Sequence, residues 1–439
     1  MQQDIAADGG RPLRIAFLSY RSKPHCGGHG VYVRALSREL VALGHSVEVI
    51  SGPPYPELDA VPGRDGPTLT AVPSLDLYRE PDPFRVPRLR EFRSAVDVLE
   101  FLLMCTAAFP EPLTFSLRAH QLLRARQEEF DLVHDNQTLG YGLLLMQRAG
   151  LRVVANVHHP ITEDRRHDLA AAAALSTGAL RKQVSTRRWY SFLRMQGRVA
   201  RRLPALLTVS QSSYVDIVRD FRVRPERLHV VPVGVDVDVF RPPAIPRVPG
   251  RIVATASADV PLKGLVPLLE AVAKLRTERD VELIVVGRPS PGGAAAAAIE
   301  RLGLEGAVRF LFGICEPDLV RLFGSAEVAV VPSLYEGFSL PAIETLACAT
   351  PLVVTTAGAL PEVVGPDGVS ALHVPPGDPE ALAGAVGRIL DEPELAARLG
   401  AAGRARVVER YTWRAVAERT VAWYRTVLAA DGGITAKES

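Results

Sequence analysis

Only four cysteines occur in the 439 residues, Cys26, Cys105, Cys315 and Cys348. No two stand in a C-x-x-C pair, so neither a disulfide framework nor a thiolate metal site is expected, and a reducing compartment fits. The chain also has no excess of one charge sign: 51 Lys and Arg against 49 Asp and Glu leave +2. A protein that grips a phosphate backbone carries a larger positive balance, so nucleic acid is not an expected partner. Long apolar runs are missing as well. The longest uncharged stretch, Thr345 to Pro361, is broken by Pro351 and Gly358 and reads as helix, turn and strand, which excludes a spanning helix. Met1 to Arg14 carries Asp4 and Asp8 and no apolar signal core, so a cytoplasmic location is expected.

What is present is an ordinary globular composition, 47% hydrophobic and 23% charged. The length suits two large or three average domains. Short β-branched runs recur between helical stretches in the first half: Arg14 to Ser19, Val47 to Ile50, Leu132 to His134, Val153 to Val157 and Leu206 to Val209. The second half repeats the plan with Ile252 to Ala256, Leu283 to Val286, Val308 to Leu311, Val328 to Val331 and Leu352 to Thr355. Continuous apolar runs, rather than alternation, are what strands covered on both faces of a parallel sheet show. Two doubly wound, Rossmann-like α/β domains follow. Four prolines within 241–250 place the linker there, between a first domain at 11–240 and a second at 251–411. A last helix, 412–430, opens at Thr412 and carries Trp413, Val416 and Val427 at helical spacing. Eleven prolines in 53–112 mark an insertion, with helix-like material only around Arg88 to Thr106. So long an excursion is either functional or a loosely ordered surface segment.

The most informative stretch runs from Ser333 to Glu344, directly after the run Val328 to Val331. It reads as strand, loop and helix start. Pro341 suits the first helical turn and Ser339 stands where a cap belongs, so the backbone N–H groups of Phe338, Ser339 and Leu340 form an anion cradle. Gly337 lets a ligand approach the backbone. Glu336 precedes the cradle and Glu344 lies one turn inside the helix. Two carboxylates repel an anion unless each accepts hydrogen bonds from hydroxyls, which a ribose and a hexose at either end of a pyrophosphate supply.

These residues resemble the donor-site signature of the retaining, nucleotide-sugar-dependent glycosyltransferases of family 4. The similarity extends over nearly the whole chain. It includes Cys26-Gly27-Gly28-His29-Gly30, Val153 to His158, Thr208 to Ser210, Val231 to Asp236 with Phe240, Lys263-Gly264, Thr355 to Glu362, and Tyr411 to Trp413. The resemblance implies the GT-B fold, two Rossmann-like domains facing across a cleft, with the acceptor on the first and the donor on the second. It also implies that the last helix crosses back to the first domain. A hexosyl group would pass from a nucleoside diphosphate sugar to an acceptor hydroxyl by same-face, ion-pair-like attack, the departing diphosphate helping to take the proton.

Carried over residue by residue, Glu344 would bind the ribose, Glu336 the transferred sugar, and Lys263 with the backbone of Gly337 to Leu340 the diphosphate. His158 would touch a sugar hydroxyl; the alternative for it is a hydrogen-bonded structural histidine. Gly28 and its neighbours would approach the donor diphosphate or the acceptor, or else form a plain tight turn. The family arginine is missing at Ala258, within Ser257-Ala258-Asp259, and Arg288 is the candidate replacement. No resident cofactor or metal is expected, since Lys263 offsets phosphate charge. Between Arg181 and Arg202 stand eight Lys or Arg beside Trp189, Phe192 and Leu193. This segment is either a core-packed helix with a solvated basic face or a peripheral contact with the inner face of a membrane. Small-molecule, lipid and glycan acceptors all stay open, as does the oligomeric state. The rival readings are a non-catalytic sugar-nucleotide binding protein and an epimerase on the same fold.

Overall fold

The computed structural model describes residues 10–23, 28–173, 178–256, 260–289 and 292–435, with side chains to residue 430. The chain forms two compact units. One comprises Met1–Val209, Ser213–Val231 and Val416–Ser439, and the other Ser210–Ser212 and Pro232–Ala415.

The first unit is built on a parallel sheet of seven strands: β1 Arg14–Ser19, β2 Ser46–Ser51, β3 Thr68–Ala71, β4 Leu132–Asn136, β5 Val153–Val157, β6 Ala205–Thr208 and β7 Leu228–Val230. Their order is β3-β2-β1-β4-β5-β6-β7, so the winding reverses between β1 and β4. Every residue of β4 and β5 is buried, as the continuous apolar runs require of strands roofed by helices on both faces. The core gathers Ala16, Leu18, Val133, Val153 and Leu206 from the strands with Phe115, Met146, Val199 and Phe221 from the helices.

The second unit repeats the scheme with six parallel strands: β8 Arg251–Thr255, β9 Glu282–Val286, β10 Val308–Leu311, β11 Val328–Val331, β12 Leu352–Thr355 and β13 Leu372–Val374. The order β10-β9-β8-β11-β12-β13 reverses between β8 and β11. Its core joins Ile252, Leu283, Val330 and Val353 to Leu268, Val272, Leu382 and Leu399.

Three strands escape the apolar-run criterion, β3, β7 and β13. Each has three or four residues at a sheet edge. β3 lies inside the proline-rich insertion, is mostly exposed, and holds to β2 through its ladder and a Thr70 hydroxyl that donates to Glu48 at 2.7 Å. The insertion therefore contains a strand of the main sheet, besides the helix Ala95–Cys105.

The proline-rich stretch 241–250 lies within the second unit, in its segment Pro232–Ala415. The prolines leave few N–H groups, and that unit receives those that remain: Val248 donates to the Ser325 carbonyl at 2.8 Å and Gly250 to the Glu327 carboxylate at 2.7 Å. The last helix, Trp413–Thr435, is capped by Thr412, whose hydroxyl accepts from the Ala415 N–H at 3.2 Å. From Val416 onward it belongs to the first unit. There Tyr424, fully buried, bonds His134 at 2.5 Å, and Trp423 stacks on His229. The basic segment is two helices, Ala179–Trp189 and Phe192–Ala200. The second packs Leu193, Met195 and Val199 into the core, and the first leaves Arg181, Lys182, Arg187 and Arg188 exposed.

Candidate functional site

In the second unit the strand ends at the reversal point converge on one carboxylate. Open parallel sheets bind ligands at such a point, because loops leaving neighbouring strands in opposite directions open a crevice there. After β11 the chain runs through Pro332 and Ser333 to Glu336. The Ser333 hydroxyl donates to Glu336 Oε1 at 2.8 Å, and Lys263 Nζ donates to the same oxygen at 2.7 Å.

Backbone packing fixes Lys263. The Leu334 N–H donates to the Leu262 carbonyl at 2.7 Å, and Gly264 (φ 65°) lies so close to the Pro332 carbonyl that a Cβ would collide with it. The loop after β12 closes from the other side: the Ala359 N–H donates to the Glu336 carbonyl at 2.9 Å, and Gly358 (φ 56°) presses against the same carbonyl. Glu336 is 8% exposed, a buried charge made tolerable by an ammonium and a hydroxyl.

The helix Leu340–Ala347 begins beside this pair. Ser339 caps it, accepting from the Ala342 N–H at 3.4 Å, and Pro341 fills the first turn. Ser339 has φ 101°, a conformation rare outside glycine and one that concentrates where ligands are clamped. The Phe338 ring is buried, edge-on to Tyr411 with centroids 5.8 Å apart, so this residue offers a ligand only its backbone.

Glu344 is half-buried; burial, reinforced by Glu316, pushes its carboxyl up to about 7. The folded state thus holds a proton that the unfolded chain releases near 4.5, and stability is lost as pH rises through that interval. Glu344→Gln is expected to match the parent at pH 4.5 and to exceed it at pH 8 by about 1–3 kcal/mol in denaturant titrations. Equal stabilities at pH 8 would refute the assigned burial.

Arg288 stands at the end of β9, exposed, with its guanidinium over the Phe312 ring at 4.5 Å. Ser257, Ala258 and Asp259 lie outside the described residues, as do Cys26 and Gly27. Asp236-Val237-Asp238 has the spelling of a metal-binding pair, but the Asp236 carboxylate accepts the N–H groups of Asp238 and Val239 at 3.1 and 3.2 Å and so closes its own turn.

In the first unit His158 follows β5. Its N–H donates to Gln137 Oε1 at 2.7 Å, and its Nε2 lies 2.7 Å from Asn136 Oδ1, which assigns the ring proton to Nε2 and leaves Nδ1 as the acceptor. Burial, with His29 and His159 adding to it, holds the imidazole well below its usual range, so it is neutral at physiological pH. The His29 and Tyr32 rings pack on it at 4.9 and 4.8 Å. Gly28 opens the helix Gly28–Ala42, so the helix starts inside the glycine-rich segment. Gly30 lies in its first turn, where a Cβ would strike the Lys23 carbonyl.

Sequence reasoning did not identify Ser333, Asn136 or Gln137 as partners of these side chains. Each stands at or just beyond the C-terminal end of a strand beside a reversal point, the one signal that marks them in advance.

Two reversal-point sheets, one carrying a Lys–Glu pair before a capped helix and the other a neutral histidine, define the chain as a GT-B glycosyltransferase. The comparisons agree. Residues 26–239 match the model described as Glycosyltransferase Family 4, and residues 241–406 that described as Glycosyl transferases group 1. The MMP alpha-(1->4)-mannosyltransferase of Mycolicibacterium hassiacum is 56% identical over 95% of this chain and 99% of its own. The D-inositol 3-phosphate glycosyltransferase of Saccharomonospora viridis is 30% identical over 96% of each. Among solved structures, sucrose-phosphate synthase from Thermosynechococcus elongatus superposes with a TM-score of 0.70 at 24% identity, covering 95% of this chain and 100% of that one. Anabaena Alr3699/HepE in complex with UDP-glucose gives 0.64 at 16%, covering 96% and 100%. The chain belongs to the family 4 glycosyltransferases.

Among the described residues no helix is long and apolar enough to cross a membrane.

Proposed function

We propose that this glycosyltransferase moves a mannosyl group from a nucleoside diphosphate sugar to a sugar hydroxyl, forming an α-(1→4) link with retention at the anomeric carbon and without a metal. The observation that carries this reading is the Lys263–Glu336 pair at the mouth of the helix Leu340–Ala347. An ammonium has three donors, so Lys263 can hold Glu336 and a phosphate oxygen together, supplying the positive charge that a metal otherwise brings. The helix N-terminus adds its dipole. Glu336 then accepts hydroxyls of the sugar and Glu344 those of the ribose. The choice of mannose follows the M. hassiacum relative's description, and that of a nucleotide donor agrees with the UDP-glucose held by HepE.

In the reaction the bond from C1 to the diphosphate oxygen breaks and the bond from C1 to the acceptor oxygen forms. The acceptor's proton passes to the departing diphosphate. Lys263 and the backbone of Gly337 to Leu340 stabilise the charge that develops there. His158, neutral and accepting at Nδ1, orients a sugar hydroxyl.

The test is to supply GDP-, UDP-, ADP- and dTDP-mannose with an α-mannoside in EDTA and to follow nucleoside diphosphate release and the anomeric signals of the product by NMR. One donor is expected to give an α-linked product without added metal. Turnover lost in EDTA and restored by Mn²⁺ would overturn the metal-free reading, and a β-linked product from an α-linked donor the retaining one.

A further inference from the structure

In the middle of the first unit a polar pair stands where apolar side chains would pack as well. Tyr424 of the last helix and His134 of β4 are both fully buried, and the Tyr424 hydroxyl lies 2.5 Å from His134 Nδ1. Burial holds the His134 imidazole down at about 3, so the ring is neutral, and its Nε2 has no hydrogen-bond partner among the described residues. Such a pair adds little to stability: both groups give up water for one another, and replacing both by apolar side chains of the same shape is close to neutral. What a buried hydrogen bond supplies, and a hydrocarbon contact does not, is one fixed orientation for the rings that make it.

That orientation is passed on through packed rings. His134 is stacked on Phe17 at 4.7 Å with 16° between the planes, and Tyr32 stands edge-on to both, 6.4 Å from His134 and 6.2 Å from Phe17. Tyr32, on the helix Gly28–Ala42, is 2% exposed, and its hydroxyl is hydrogen-bonded to Asn156 of β5. It also meets His158: the two rings cross at 87° with centroids 4.8 Å apart, and the Asn156 amide nitrogen lies 3.5 Å from His158 Nε2. A column of Tyr424, His134 and Tyr32, backed by Phe17, therefore runs from the last helix to the His158 imidazole. The Asn136 contact at Nε2 alone leaves that imidazole free to rock about one atom; the Tyr32 ring, with His29 at 4.9 Å, stops the motion.

We propose that Tyr32 and, acting through His134, Tyr424 are positioning residues for transfer: the column sets the plane of the His158 imidazole and with it the direction from which Nδ1 accepts a sugar hydroxyl. This deepens the role given to His158 above and rests on it. Both tyrosines are buried, so they act only through the histidine. A group that orients a reacting hydroxyl has to be held within about 0.5 Å and 10–20° of its productive geometry, and a misplacement of about 1 Å costs about a hundredfold in rate. The polar pair at the foot of the column is thus retained for the direction it imposes, and the last helix becomes part of the apparatus around His158.

The test pairs steady-state kinetics with nitrogen NMR of the full-length protein carrying isotope-labelled histidine rings, the His158 signals being identified by their loss in His158→Gln. The parent is expected to show a single neutral His158 imidazole with its proton on Nε2. In Tyr32→Leu and in Tyr424→Phe these signals should shift or split. The value of kcat should fall about tenfold to a hundredfold in the first and about threefold to tenfold in the second, with the donor KM changed by less than about twofold. Tyr32→Phe keeps the ring against His158 and should recover most of kcat. A purely structural defect lowers the folded fraction, which a thermal melt measures, and moves neither the His158 signals nor kcat per folded molecule. The nitrogen signals need no donor, so they read the column independently of transfer. Parental turnover in His158→Gln would overturn the role of His158 and the positioning role together. An inactive His158→Gln beside undisturbed His158 signals in both tyrosine variants, or a loss in Tyr32→Leu that Tyr32→Phe shares in full, would overturn the positioning role alone.

Discussion

Glu336→Gln is expected to lower kcat/KM for transfer by about two to three orders of magnitude while reducing Tm by only a few degrees. Glutamine keeps the shape and can still accept from Ser333 and Lys263, so the loop between β11 and the helix Leu340–Ala347 should hold. What disappears is the negative charge that strengthens hydrogen bonds from sugar hydroxyls as positive charge grows at the anomeric carbon, together with the carboxylate that aims Lys263. Only the second partner's attraction is lost from the fold, and with Lys263 about a third exposed that loss is about 1 kcal/mol. Steady-state kinetics beside a thermal melt separates the two effects. A fall in activity no larger than the fall in folded fraction would make Glu336 a purely structural residue.

Lys263→Met removes the cation itself. Donor affinity should weaken and kcat/KM fall by about three orders of magnitude, because the departing diphosphate then meets only backbone dipoles. The stability cost is larger than for Glu336→Gln, about 1–3 kcal/mol, since a mostly buried carboxylate is left with Ser333 alone. Calorimetry with the nucleoside diphosphate product is the direct measurement; unchanged affinity would mean that the phosphates bind elsewhere. In a double variant the two losses should not add, since each single change already removes the charge pairing between the same two side chains.

The ten strands of continuous β-branched sequence could be read directly because parallel strands sandwiched between helices need apolar side chains on both faces. Thr68–Ala71, Leu228–Val230 and Leu372–Val374 could not, because these short edge strands carry too few apolar residues to stand out and are defined by their neighbours' hydrogen bonds, whereas the edge strand Val308–Leu311 keeps three apolar residues of four. The surroundings of the proline-rich stretch are hidden for a related reason. Proline density in 241–250 shows that the backbone is irregular, but not that Ser325 and Glu327 receive its few N–H groups.

In the site, the cap at Ser339 and the turn residue Pro341 were legible from local chemistry alone. The Lys263–Glu336 contact spans 73 positions and depends on two glycine close approaches, at Gly264 and Gly358, that no local pattern reveals. The ring contact of His158 comes from Asn136 at the end of the neighbouring strand and its backbone N–H is held by Gln137 just beyond, and only the register of β4 against β5 brings them there.

Tyr424 closes the first unit against His134, on a strand that precedes it by 290 positions. A ribosome delivers these partners at opposite ends of the elongation programme, so the nascent first unit must wait, with part of its interior uncovered, while residues 232–415 are made and can already pack. Completion of the earlier-born unit thus waits on the last helix, and nascent chains stalled before Val416 should be the ones that chaperones retain.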